Sequence, residues 1–395
     1  MDEMLLGMDG WDEKINEIKQ LVLGLYPPST RAEVNTITRE RGLFVNQVMG
    51  ESIESRPCCE PEVKKMGIEK TAVAKDKIFV HALRNDGGGF QFSEFCTLDM
   101  RNGKVSDCPY ALLADTGFNS MVSLGSVVYV VGGRRPEHIR CKTQPPHSRC
   151  TKKALYHKFM SYLDLANDTG DGWKEAPCLP SGPTPRPAVV AFGGKIYVFH
   201  TNGYSETAHV FDPVSNQWET LLPPPGVNFF ESHYASSAVA DTENNRILVY
   251  FVRVHSVFAY YPANNQWERV LKPFSWSHKI VFVDGVIFFY LPEAPELVAA
   301  YHVATKKHLN VVFTSKLPEH IWRNVFDAMF HLGGDLMCLA AYSSDYSPPP
   351  RTRVYLTKFR FKRSPHNRAD LLVTLLPVET YTIGACSLVN TFLPI

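Results

Sequence analysis

Two stretches of the chain repeat one pattern, and this repetition constrains the fold more than any other feature. One stretch reads VFDPVSNQWETLLPPP from Val210, and the other reads AYYPANNQWERVLKP from Ala259. Their tryptophans, Trp218 and Trp267, are 49 residues apart (267 minus 218). Each stretch has the pattern of an apolar strand, a tight Pro/Ser/Asn turn and a second strand that opens on tryptophan. The repetition predicts an all-β fold built from copies of one unit.

A hairpin pattern lies upstream of each stretch. The paired runs are Ala188–Phe192 with Lys195–His200 around Gly193-Gly194, and Ser236–Ala240 with Arg246–Phe251 around Glu243-Asn244-Asn245. Glycine and asparagine tolerate the positive φ angles that tight hairpin turns require. A hairpin followed by the strand–turn–Trp-strand pattern makes one four-stranded unit.

The hairpin turn recurs along the chain. Its markers are positions 76, 125, 194, 245, 285 and 334, which are separated by 49, 69, 51, 40 and 49 residues. Five such steps make six units. The long step contains an insertion between about Arg134 and Lys158, because loops accept extra residues without disturbing sheets. We expect the apolar segment Tyr381–Leu393 to pair with the first unit near Ala72–Leu83, which closes the array and removes its exposed edge.

The unit resembles the kelch repeat. The run Val127–Gly133, followed by Tyr162-Leu163-Asp164 and then Trp173, carries a double glycine, an aromatic residue and a tryptophan in kelch order. The resemblance covers roughly residues 72 to 393 and implies a six-bladed kelch-type β-propeller. The Asp-Pro-x-Ser-Asn-x-Trp turns and proline-rich exits are similar to those of plant F-box/kelch-repeat proteins. That family implies a protein-interaction module with a substrate-recognition role in a ubiquitin ligase.

The chain departs from that family in several places. Thr201-Asn202 and Phe251-Val252 replace the double glycine in the third and fourth units, and Lys306-Lys307-His308 replaces the tryptophan in the fifth. Residues 1–70 contain no leucine-rich segment that opens on Leu-Pro, so the F-box itself is missing. Trp11–Leu25 has apolar residues at helical spacing and is followed by Pro27-Pro28. We therefore expect a helix and a poorly ordered linker over residues 1–70 and the propeller over residues 71–395.

Composition excludes several classes of protein. The 41 basic and 40 acidic residues leave no excess charge that would favour a nucleic-acid or membrane partner. No apolar run approaches the length of a membrane-spanning helix, and the first residues lack the pattern of a secretory signal. Nine cysteines without regular spacing favour a reduced cytoplasmic or nuclear compartment. Nucleophile-elbow, phosphate-loop, zincin and dinucleotide motifs are all missing, so the sequence predicts no enzyme and no cofactor.

The insertion carries most of the unusual charge. Eight basic residues and Glu137 between positions 134 and 158 give a local charge of +7 (8 minus 1). An exposed basic loop can steer an acidic partner to the protein, although a solvated loop without a role is the alternative. Two tyrosines near Pro348–Pro350 are further candidate anchors. The candidate partner-binding residues are Arg134, Arg135, Arg140, Lys142, Arg149, Lys152, Lys153, Tyr342 and Tyr346.

Two readings stay open at this stage. His138 with Cys141 and His147 with Cys150 are residues of the types that bind zinc, although zinc sites more often pair like ligands and a cationic loop disfavours a dication. Some kelch-type propellers are metal-dependent enzymes, and that class is the alternative to a protein-binding role.

Three tryptophans recur at repeat spacing, so we expect them to pack between neighbouring units. They are Trp173, Trp218 and Trp267.

Overall fold

The computed structural model describes residues 75–85, 91–107, 119–135, 155–156, 160–166, 172–180, 186–199, 208–225, 235–252, 254–271, 279–291, 297–315, 326–345, 351–365, 367, 370–384 and 388–395. These residues form strands and turns, with no helix among them. The all-β prediction is therefore confirmed for this part of the chain. Residues 1–74, with the helix predicted at Trp11–Leu25, lie outside it.

Four-stranded antiparallel sheets follow one another along the chain. Sheet I contains β1 (Lys77–Asn85), β2 (Gln91–Asp99) and β3 (Lys104–Asp107), and the last strand of the chain completes it. Sheet II contains β4 (Ser120–Leu124), β5 (Val127–Val131), β8 (Met160–Asp164) and β9 (Lys174–Ala176), with the short ribbon β6 (Arg134–Arg135) and β7 (Leu155–Tyr156) between β5 and β8. Sheet III contains β10 (Ala188–Phe192), β11 (Lys195–Phe199), β12 (Ala208–Asp212) and β13 (Gln217–Thr220). Sheet IV contains β14 (Ala235–Asp241), β15 (Arg246–Phe251), β16 (Ser256–Tyr261) and β17 (Gln266–Leu271).

The next two sheets are joined by hydrogen bonds. Sheet V contains β18 (Ile280–Val283), β19 (Val286–Tyr290), β20 (Val298–His302) and β21 (Lys307–Phe313). Sheet VI contains β22 (Phe326–Gly333), β23 (Leu336–Asp345) and β24 (Arg351–Arg363), with β25 (Asp370–Leu375) and β26 (Glu379–Ile383) side by side along the outer edge of β24. Strand β25 also pairs in parallel with β21, so one strand links the outer edges of sheets V and VI.

The last strand, β27 (Leu388–Pro394), pairs with Ile78–Leu83 of β1 and becomes the innermost strand of sheet I. This confirms that the end of the chain pairs with the first unit. The prediction was wrong for Tyr381–Ile383, because β26 pairs with β24 instead. The thirteen-residue β24 has an outer edge long enough for two strands, so it takes up the start of the predicted closing segment.

The innermost strands form a closed cycle of contacts. In order, β27 contacts β4, β4 contacts β10, β10 contacts β14, β14 contacts β18, β18 contacts β22, and β22 contacts β27. Hydrogen bonds cross one of these junctions, where Ser237 Oγ donates to the Ile280 carbonyl (3.4 Å) and accepts from the Ile280 amide (3.3 Å). This arrangement of sheets is consistent with a β-propeller.

Apolar side chains fill the spaces between neighbouring sheets. One cluster contains Val190, Tyr197 and Phe199 of sheet III with Ile247 and Val249 of sheet IV, all of them buried. Further clusters join sheets IV and V, V and VI, and VI and I. The core is therefore divided into layers between sheets, and each sheet depends on both of its neighbours.

The repeated tryptophans join neighbouring sheets, as predicted. The indole Nε1 of Trp218 donates to the carbonyl of Pro177 beyond sheet II (2.9 Å), and that of Trp267 donates to the carbonyl of Leu222 beyond sheet III (2.7 Å). Trp173 packs against Phe79 and Phe95 of sheet I. In the fifth unit His308 occupies the tryptophan position: its ring lies 5.1 Å from Tyr301, close to the 4.9 Å between Tyr260 and Trp267.

Candidate partner-binding end

Each sheet has two different ends because its strands alternate in direction. At the end that we call the turn end, tight turns join the first strand to the second and the third to the fourth, as at 193–194 and 213–216. We call the opposite end the loop end. The connections that join second strands to third strands emerge there, and they are 86–90, 132–159, 200–207, 252–255, 291–297 and 346–350. Loops held on a rigid sheet are the usual carriers of recognition residues, so the loop end is the candidate site.

Carboxylates organise the turn end locally. Asp99 Oδ1 accepts hydrogen bonds from the amides of Arg101 (2.9 Å) and Asn102 (3.3 Å), and these bonds lower the pKa of Asp99. Asp212 Oδ1 caps the equivalent turn through the Val214 amide (2.9 Å), and its pKa is lowered first by its hydrogen bond with Lys195. These two carboxylates accept hydrogen bonds from the amides of their own turns, so we assign them a structural role.

Backbone strain separates the two ends. Among the described residues of the turn end, those with positive φ are glycines, asparagines and Asp284, all of which tolerate that conformation, with Lys306 as the exception. At the loop end, Arg186 (φ 45°) and Leu297 (φ 53°) adopt the same left-handed conformation, which residues of these types disfavour, and His255 (φ 46°) adopts it too, although histidine is found there more often. Strained residues of this kind cluster at functional sites, which makes the loop end the stronger candidate.

Local hydrogen bonds hold two of these left-handed residues in place. The His255 amide donates to the Val252 carbonyl (3.1 Å), and the Leu297 carbonyl accepts from the Leu291 amide (2.7 Å). Burial lowers the pKa of His255, so its imidazole is neutral near neutral pH. Leu297 is buried, which anchors the end of the 291–297 connection to the core.

The basic insertion starts from a short ribbon at the loop end. Arg134 pairs with Tyr156 and Arg135 with Leu155, which extends the β5–β8 hairpin beyond the four-stranded sheet. The side chains of Arg134 and Arg135 lie outside the described residues. The other candidate partner-binding residues of the insertion and of the 346–350 connection lie outside them entirely, and so do the candidate zinc ligands. These residues are Arg140, Lys142, Arg149, Lys152, Lys153 and Tyr346, and His138, Cys141, His147 and Cys150. The structure therefore fixes the place where the insertion leaves the sheet, and the role of its residues stays a prediction.

The β23–β24 hairpin also projects at this end. Tyr342 is half-buried against the apolar cluster between sheets VI and I, so much of its ring serves packing. Beyond it, Ser344 Oγ lies 3.3 Å from Thr352 Oγ1, and the side chains of Arg351 and Arg353 are exposed. Both arginines carry positive charge at the same end of the sheets as the basic insertion. The sequence indicated a docking loop over Tyr342–Arg351, but neither arginine was chosen as a candidate partner-binding residue.

A buried polar cluster lies between sheets I and II near this end. His81 Nε2 is 3.0 Å from Ser93 Oγ, and the imidazole stacks on Phe95 with ring centres 4.7 Å apart. Burial lowers the pKa of His81 to about 3, and a hydrogen bond with Asn119 opposes part of that shift. A neutral, hydrogen-bonded histidine in this position orders the junction of two sheets.

Two further observations concern metal binding and membrane-spanning helices. Within the described part of the chain, no group of three or more His, Cys, Asp or Glu side chains is arranged to hold a metal ion. Over the same residues there is no helix with the length and apolar character needed to cross a membrane.

Comparisons with known proteins establish no family. Neither the family models nor the curated proteins give a match to this chain. Among solved structures, a chain in the crystal structure of a nidogen/laminin complex aligns with a TM-score of 0.41 and 9% identity, over 58% of this chain and 78% of that one. The structure of YjhT aligns with a TM-score of 0.40 and 10% identity, over 68% of this chain and 98% of that one. Both TM-scores lie below 0.5, so these likenesses assign neither a family nor a function.

Proposed function

We propose that the chain is a six-bladed kelch-type β-propeller that binds another protein at its loop end and catalyses no reaction. The closed cycle of innermost strands and the tryptophan hydrogen bonds between sheets support the six-bladed architecture. The strained Arg186 and Leu297, both at the end that carries the long connections, are the observation on which the choice of end rests.

The resemblance to F-box/kelch proteins suggests what the partner does. In this proposal the loop end recognises a substrate of a ubiquitin ligase, and residues 1–70 contact the ligase adaptor in place of a standard F-box. The partner is a protein, and neither nucleic acid nor membrane is involved. The setting is cytoplasmic or nuclear.

Affinity purification from the native tissue, followed by mass spectrometry, tests this proposal. The full chain is compared with a variant in which Asn-Gly replaces residues 136–154, because the β6–β7 ribbon then closes as a simple hairpin. The matched control, Val214→Ser, alters an exposed turn-end residue in sheet III. We expect partners to be lost from the shortened variant and kept by the control.

A chain that lacks residues 1–70 tests the ligase connection separately. Loss of cullin-adaptor proteins from this variant, with other partners retained, supports the substrate-receptor role. Recovery of partners without adaptor proteins from the full chain removes the ubiquitin part of the proposal and leaves a propeller that binds protein. Equal recovery from the shortened and full-length chains contradicts the choice of the loop end.

A further inference from the structure

The chain leaves sheet III through a run of prolines. Strand β13 ends at Thr220, and the sequence continues as LLPPP over residues 221–225, which we call the proline exit. The ring of a proline fixes φ at about −65°, and a residue that precedes a proline is confined to extended or polyproline II conformations. Leu222, Pro223 and Pro224 each precede a proline. These covalent restraints make the proline exit a short polyproline II helix.

The burial of the proline exit repeats every three residues. Leu221 and Pro224 are buried, whereas Leu222, Pro223 and Pro225 are exposed. A polyproline II helix has three residues per turn, so one of its ridges lies against the protein and the other two face solvent. Leu222 and Pro225 belong to the same exposed ridge, and Leu222 is 59% exposed. The segment therefore presents apolar side chains outward in a regular order.

Two hydrogen bonds hold the proline exit in place. The Leu221 amide donates to the Ala208 carbonyl (3.0 Å), and the Leu222 carbonyl accepts from Trp267 Nε1 of sheet IV (2.7 Å). The three prolines have no amide hydrogen, so their part of the chain cannot continue the sheet as a paired strand. A segment that is fixed in this way loses little conformational entropy when a partner binds it.

The equivalent exit of sheet II shows what the contact between sheets requires. There the Pro177 carbonyl accepts from the indole of the next sheet (2.9 Å). Cys178, Leu179 and Pro180 are exposed, buried and exposed in turn, and residues 223–225 show the same order. The contact between sheets thus needs neither three successive prolines nor an exposed leucine. It does not explain why the exit of sheet III has both.

We propose that the proline exit is a docking segment for a partner domain whose aromatic-lined groove binds polyproline helices. Such grooves recognise the shape of a helix that is already formed, and their aromatic rings pack against apolar ridges. The proline exit offers two such ridges and contains no charged residue. It follows the outermost strand of sheet III, and its partner is independent of the one that we assign to the loop end.

Binding of the full chain to isolated WW, SH3 and EVH1 domains tests the proposal, because all three kinds hold polyproline helices in aromatic grooves. Surface plasmon resonance measures binding to each immobilised domain, with and without an oligoproline competitor. Leu222→Ser/Pro225→Ser removes the apolar side chains of one exposed ridge and keeps the Leu222 carbonyl that Trp267 contacts. We expect at least one kind of domain to bind the wild type, oligoproline to compete, and this variant to bind about tenfold more weakly.

The matched control is Cys178→Ser/Pro180→Ser, because it changes two exposed residues in the equivalent exit of sheet II. It should bind as the wild type does. Circular dichroism shows whether the variants are folded, and Leu222→Ser alone, which keeps all three prolines, gives the same test if the double variant unfolds.

Three results overturn the proposal. They are no binding of the wild type to any of the domains, equal binding by the wild type and the Leu222/Pro225 variant, and equal weakening in that variant and its control. The second result would mean that another proline run, such as Pro348–Pro350, is the ligand. Since the test changes only the proline exit, its failure leaves the loop-end proposal untouched.

Discussion

At the scale of single residues, the residue type at each left-handed position determines whether a repeated turn is strained. Asn216, Asn265 and Gly103 suit their positions because asparagine and glycine accept positive φ at little cost. Lys306 and Leu297 do not suit theirs. Sequence spacing predicted the turns, but it gave no signal for His255 or Leu297, since φ depends on how a connection is closed in three dimensions.

Exchanging residues between equivalent turns tests the strain. Lys306→Asn should stabilise the protein by about 1 kcal/mol, because asparagine accepts the left-handed conformation more readily than lysine. The reciprocal Asn216→Lys should destabilise it by a similar amount of about 1 kcal/mol. Urea unfolding at 25 °C measures both. If both changes shift stability in the same direction, φ strain is not the cause.

The carboxylate caps predict a pH dependence. The pKa of Asp99 is lowered in the folded chain, first by the hydrogen bond from the Arg101 amide, so the stability it contributes is present above its unfolded pKa and lost as pH falls through the folded one. Asp99→Asn should therefore be less stable than wild type at neutral pH, and the difference should shrink as pH falls below about 4. Urea midpoints measured across this range check the prediction. A constant difference would show that the charge has no part in it.

At the scale of elements, the tryptophan in the last strand of a unit adds a contact that joins the unit to the preceding one. Trp218 and Trp267 each combine ring packing in their own sheet with a hydrogen bond to the chain leaving the preceding sheet. The spacing of the tryptophans predicted this structural role. In the fifth unit the sequence has Lys306-Lys307-His308 in place of the tryptophan, and the ring contact with Tyr301 shows that His308 takes the tryptophan position.

The hydrogen bond between sheets can be separated from the packing. Trp218→Phe keeps an aromatic ring beside Phe211 but leaves the Pro177 carbonyl without the indole donor, so we expect a loss of about 1 kcal/mol. Trp218→Ala removes both contributions and should cost clearly more. Chemical denaturation of the two variants compares them, and an equal loss for both would mean that the ring packing contributes nothing.

Sequence reasoning located the hairpins well and the ends of the fold less well. The runs predicted around Gly193-Gly194 and around Glu243–Asn245 match β10–β11 and β14–β15, because turn residues and apolar alternation are local signals. The assignment of Tyr381–Ile383 to ring closure was wrong, since the sequence does not reveal that β24 has room for two partners. Of the candidate site residues, only the side chain of Tyr342 lies within the described part of the chain.

At the scale of the whole molecule, the first and last described strands meet in sheet I. Strand β27 pairs with β1, and its buried Val389 and Phe392 join a cluster shared with sheet VI. Closure therefore protects the edge of β1 and completes the apolar layer between the first and last sheets. Two outer strands add contacts on the two sides of sheet VI. Strand β25 joins it to sheet V, and the apolar residues of β26 pack in the layer that it shares with sheet I.

A charge placed in the closing strand tests how much stability depends on it. Val389 is fully buried, so Val389→Asp puts an unpaired carboxylate into the apolar layer and should cost more than about 3 kcal/mol. Thr382→Asp, at an exposed position of β26, should change stability by less than about 0.5 kcal/mol. Thermal unfolding monitored by circular dichroism distinguishes the two, and a similar melting temperature for both would contradict the role of β27.

Photo-crosslinking tests most directly the claim that the loop end binds the partner. Benzoylphenylalanine is introduced in place of Arg353, exposed toward the loop end, or in place of Val214, exposed at the turn end, and the adducts formed in an extract of the native tissue are identified by mass spectrometry. The account predicts that one partner is recovered with the reagent at position 353 and is not recovered with it at position 214. Adducts of that partner at position 214, with none at position 353, would contradict it.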